Sequence, residues 1–144
     1  MRAIRFVSAA LLSLALVPDD GDDLYLTFRT DDPISEWVQQ HVIPFLDMVP
    51  EQLECPRLTK KDAAHALERY LRHDDQPLIV ADWPEDVAQF CNLLITGPGD
   101  MVELRHLVFQ LTPMSNFSTA ANSKVPHNAL HDARALRDHV LAME

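Results

Sequence analysis

His127 and Asp132, within Pro126-His127-Asn128-Ala129-Leu130-His131-Asp132-Ala133-Arg134-Ala135-Leu136, are the side chains best placed to do chemistry. Leu130, Ala133, Leu136, Val140 and Met143 recur every three or four residues, which predicts a helix with one buried stripe running to the C-terminus. At about 100° per residue, Asp132 falls about 40° from Leu136, at the edge of that stripe. Its carboxylate is therefore aimed partly at the core or at a sheet edge. His127 sits at the helix entrance, where its ring can face the same side without being covered by the helix. A base that titrates near neutral pH and an anion can thus share a site. A lone histidine and aspartate at this spacing would equally suit capping and dipole roles.

A second acidic group lies in Ala81-Asp82-Trp83-Pro84-Glu85-Asp86, between a short apolar run and a helix-like pattern. Asp82 and Asp86 can cap and solvate a helix N-terminus, which acidic residues favour electrostatically. Trp83, beside them, is the better candidate for stacking on a nucleobase, whereas Trp37 falls in an apolar stripe and reads as core. His41, His65, His73, His106, His131 and His139 have no carboxylate or cysteine partner at ligand spacing and take no role. Cys55 and Cys91 form no CxxC pair, so they read as reduced thiols and no structural zinc is expected.

The string from His127 to Leu136 resembles the third motif of the DEDDh 3′-5′ exonucleases, H-x-A-L-x-D-A-R-x-L. The resemblance extends upstream. Ser35-Glu36-Trp37-Val38 through Val42-Ile43-Pro44 is similar to a helix of small bacterial 3′-5′ exoribonucleases, and Ala81 to Asp86 is similar to their second motif. Leu11 to Val17 resembles their second strand, L-I-S-I-G-L-V, followed by an acidic turn and Leu24-Tyr25. Most of the chain is covered.

The resemblance implies an RNase H-like α/β fold, a mixed sheet flanked by helices, and removal of nucleotides from RNA 3′ ends. In that family four acidic residues hold two divalent ions, Mg²⁺ or Mn²⁺, and a histidine deprotonates the attacking water. Carried over by position, His127 is the base, Asp132 and Asp86 are metal ligands, and Asp82 is a substitute ligand. The family's D-x-E pair on the opening strand is absent; if that strand is Arg2 to Phe6, Ala3 and Arg5 stand at its positions. The alternative reading is a catalytically inactive nuclease-like domain that binds RNA or a protein partner. A homodimer is expected by the same analogy.

These residues need a scaffold, and the chain offers one. The apolar run ending at Val17, the turn formers Pro18 to Asp23, and Leu24 to Phe28 predict a β-hairpin. Asp32 can cap a helix beginning at Pro33 and carrying Trp37, Val38, Val42, Phe45 and Leu46, ending near Pro44. Thr59 and Asp62 resemble a capping box ahead of Ala63, Ala66, Leu67, Tyr70 and Leu71. Pro77 to Ala81 predicts a buried strand, Val87 to Leu94 a helix, Met101 to Leu111 another strand, and Ser115 to Pro126 a mobile surface loop.

At 144 residues the chain suits a single domain over its whole length, 1–144. Hydrophobic residues make up 47%, enough for a core. The net charge of -10 argues against a broad basic grip on nucleic acid, so an RNA partner must be held locally. A carboxylate site built for divalent metal is acidic on its own, so the charge is compatible with a nuclease. No stretch reaches the length of a membrane span. Met1 to Val17 resembles a basic leader with an apolar region, but Ser13-Leu14-Ala15 lies inside the apolar run rather than after it. Two buried strands and a cytoplasmic location are expected, with export as the alternative.

Overall fold

The computed structural model describes residues 4–10, 12–113 and 123–143. Among the described residues, seven strands and four α-helices follow in the order β1 (Ile4–Ala9), β2 (Ser13–Pro18), β3 (Leu24–Thr27), α1 (Glu36–His41), α2 (Lys60–Leu71), β4 (Leu78–Ala81), α3 (Pro84–Leu94), β5 (Ile95–Gly97), β6 (Asp100–Met101), β7 (Val108–Leu111) and α4 (Ala129–Ala142). Five strands form one mixed sheet in the order β3-β2-β1-β4-β7. β2 is antiparallel to both β1 and β3, whereas β1, β4 and β7 run parallel. The expected α/β class with a mixed sheet flanked by helices is thus present.

Side-chain alternation along the central strands divides the core between the two sheet faces. Val7, Ala9, Leu14 and Leu16 join Leu67, Leu71 and Phe90 of α2 and α3. Ala15 and Val17 meet Ala129, Leu130 and Ala133 of α4, and Phe6 with Val80 packs on Leu136. The predicted buried stripe of the last helix is therefore real. Both faces of β1 and β2 are covered, which is why the N-terminal apolar run reads as continuous rather than alternating.

The β2–β3 hairpin was legible, with Ser13 opposite Thr27 and Leu16 opposite Leu24. Thr59 caps α2 as expected, its Oγ1 accepting from the Asp62 N–H at 3.1 Å. Three expectations need correction. The helix after Pro33 starts later: Ser35, not Asp32, is the cap, with Oγ accepting from the Val38 N–H, and α1 buries none of its residues. Met101 to Leu111 is two strands, because Pro98 and Gly99, the latter at φ +76°, turn the chain back into a small β5–β6 hairpin before β7 begins. The opening strand, described from Ile4, runs on past Phe6 to Ala9. The expected loop from Ser115 lies largely outside the described residues. Among the described residues no helix is long and apolar enough to cross a membrane.

Candidate functional site

The C-terminal end of β1, the first turn of α3 and the first turn of α4 meet α1 around a cavity of about 280 Å³, whose walls include Ser8, Ala9, Trp37, Asp86, His127 and Asp132. Strands β1 and β4 are parallel neighbours, so the helix that leaves β4 begins beside the end of β1. Pro84 sets the first helical position of α3, and Asp86 follows in the same turn. Its Oδ1 accepts a hydrogen bond from the Ala9 N–H at 3.2 Å. Burial pushes the Asp86 carboxyl up to about 7. The Ala9 N–H opposes that shift, while the negative charges of Asp82, Asp132 and Glu85 add to it.

Asp132 reaches the same cavity from α4. Burial is again the main cause that raises it, to about 6, with Asp82 adding repulsion and the Ser123 hydroxyl and the His127 N–H opposing. The Ser123 approach falls short of hydrogen-bond geometry, since Ser123 Oγ and Asp132 Oδ1 are both buried without a partner among the described residues. Two carboxyls that would be anionic in water are therefore held near the point of protonation.

His127 has φ +68°, a left-handed conformation uncommon for a residue with a side chain. The following residue explains how it is held. Asn128 is fully buried and caps α4, its Oδ1 accepting from the N–H groups of Leu130 and His131. Its Nδ2 donates to the Phe45 carbonyl at 2.7 Å. Beside it the Tyr25 hydroxyl donates to the Leu46 carbonyl at 2.6 Å, and burial holds that phenol well above its usual range. The start of α4 is thereby fastened to the 42–50 segment, and the chain must turn sharply at His127 to enter it. The His127 ring meets Trp37 edge to face at 5.1 Å, and Trp37 stacks on His41 at 4.7 Å.

The structure brings His127, Asp86 and Asp132 together as the sequence suggested. It changes the other assignments. Asp82 is not among the cavity walls and acts on the site through its charge. Trp37, read as core, is 51% exposed and forms a cavity wall; Trp83 is 63% exposed but is not among those walls. The aromatic beside the site is therefore Trp37, because α1 is short and lies over the cavity instead of burying an apolar stripe. Ala3 lies outside the described residues. Arg5 points elsewhere, to Asp74 at 3.0 Å and over the Tyr70 ring. At the end of β1 and just past it, Ser8, Ala9 and Ala10 reach the cavity, and none of them carries a carboxylate. Ser8, the Ala9 N–H, Asn128 and Ser123 were not found from sequence. A Ser/Thr/Asp/Asn cap preference could have marked Asn128; the others depend on strand register.

Among the described residues, no three histidine, cysteine or carboxylate side chains are grouped to hold one metal ion. Asp86 and Asp132, the latter with one buried oxygen unpartnered among the described residues, would suit a single Mg²⁺ or Mn²⁺ completed by other oxygen ligands. The two-ion arrangement calls for four carboxylates, and among the described residues this cavity offers two. No protein-family model matches the chain, and no curated protein matches it.

Proposed function

We infer that this chain is an RNase H-like 3′-5′ exoribonuclease-type domain that receives the 3′ end of single-stranded RNA in the cavity between β1, α1, α3 and α4. The convergence of His127, Asp86 and Asp132 on that one cavity carries this reading. Its support in the fold is the mixed sheet with helices on both faces. Asp86 and Asp132 would hold one divalent ion, which when bound supplies charge stabilisation at a phosphodiester oxygen. A ring nitrogen of His127 takes the proton of the attacking water, since histidine can exchange protons near neutral pH. Trp37, half exposed at the wall with one face stacked on His41, offers the rest of its exposed ring to the terminal base. The Ala9 N–H keeps Asp86 turned toward the cavity.

One observation favours a second reading, a nuclease-like domain that binds RNA without cutting it. Ser8 and Ala10 contribute no carboxylate where the related enzymes carry two. A single experiment separates the readings: a 5′-labelled single-stranded RNA is incubated with Mn²⁺ and the full chain, Asp132→Asn, or His127→Asn. Asparagine is chosen at 127 because it tolerates the left-handed backbone. Stepwise shortening by the native chain, lost in both variants, establishes the exonuclease. Binding without shortening establishes the second reading, and Ser8→Asp with Ala10→Glu should then introduce cleavage. A folded chain that neither binds nor shortens RNA removes both.

A further inference from the structure

The candidate site opens sideways. Ala9 and Ala10 wall its cavity and also wall a small neighbouring cavity of about 30 Å³, where Gln89, Asn92 and Lys60 are the polar lining. Lys60 also borders a wider depression of about 420 Å³ with Arg29, Thr30, Asp31, Asp32 and Thr59. Shared walls at Ala9 and Ala10 therefore join the carboxylates to an exposed lysine.

We propose that the RNA strand leading away from its 3′ end crosses these shared walls, passes Gln89 and Asn92 on one face of α3, and sets a phosphate against Lys60. The proposal rests on the nuclease-type reading of the site and adds the route of the chain beyond it. Gln89 and Asn92 are three residues apart, so their amides lie on one side of the helix, where each can donate to and accept from bases or ribose hydroxyls. Lys60 is the one charged residue lining the small cavity, and it has no acidic partner within 4.0 Å among the described residues. Lys60 and Lys61 occupy the first turn of α2, the positive end of the helix, where cations oppose the dipole. Such a placement does not favour folding and suits an incoming anion. On the far side of Lys60, Asp31 and Asp32 present like charge to a phosphate and set the end of the favourable route.

The route is tested by fluorescence anisotropy with the full chain and Ca²⁺ in place of Mn²⁺, comparing a labelled diribonucleotide with a labelled octaribonucleotide. Lys60→Glu should weaken the longer RNA about tenfold and the dinucleotide less than about twofold, and lower the salt dependence for the longer RNA by about one phosphate contact. Asp31→Asn with Asp32→Asn should strengthen the longer RNA about twofold to threefold. Circular dichroism checks that these exposed-site variants remain folded. If both lengths respond alike, or neither responds while Trp37→Ala still weakens the dinucleotide, the route is wrong and the site reading survives. If the dinucleotide fails to bind the native chain, or binds regardless of Trp37, the site reading fails and the route with it.

Discussion

Asp86 and Asp132 carry the clearest consequence at the level of single residues. An unfolded aspartate ionises near pH 4, while these two ionise near 7 and 6 when folded. Between about pH 4 and pH 7 the folded chain therefore binds more protons than the unfolded chain, and stability falls as pH rises through that window. The penalty is on the order of a few kcal/mol at pH 8 without metal. Urea unfolding at pH 5 and pH 8 should show a drop for the native chain that Asp86→Asn reduces. Mn²⁺ should raise the melting temperature more at pH 8 than at pH 5, since a cation binds the ionised form. His127 and Asp132 were legible because their relation lies within one helical segment. The part of β1 that reaches the cavity, Ser8 and Ala9, was not, because only the pairing of β1 with β2 and β4 fixes which end of the strand meets α3 and α4.

Elements with a local signal were readable, and those defined by packing were not. The cap at Thr59, the turn before β3 and the periodic stripe of α4 all announce themselves within a few residues. α1 misled because Trp37, Val38 and Val42 follow helical spacing, yet the helix covers a cavity and buries nothing. Its cap and that of α4 consequently differ in weight. Asn128→Ala removes a buried cap and orphans the Phe45 carbonyl, so it should cost about 2–4 kcal/mol in urea unfolding. Ser35→Ala removes an exposed cap from a six-residue helix and should cost under about 1 kcal/mol. Trp37→Ala should likewise leave unfolding almost unchanged while weakening nucleotide binding.

Over the whole molecule, the charge of -10 sets the terms for any polyanion. Several cations are already engaged, Arg5 with Asp74, Arg57 with Asp47 and Arg134 with Asp23, which leaves little positive surface for non-specific attraction. RNA binding should accordingly show a shallow salt dependence, reporting one or two phosphates rather than a tract. Composition carried the acidic charge and enough apolar content for one core, and the order of the elements carried the α/β class; neither could announce that the central strand ends at the cavity. That ending has a spectroscopic use. The Ala9 amide, hydrogen-bonded to Asp86 Oδ1, belongs to a non-titrating residue and still senses the carboxyl's charge. In a nitrogen–proton correlation spectrum its single peak should move with a midpoint near pH 7 and shift again as divalent metal arrives, so a backbone proton can serve as the meter of the site's protonation without any substitution in it.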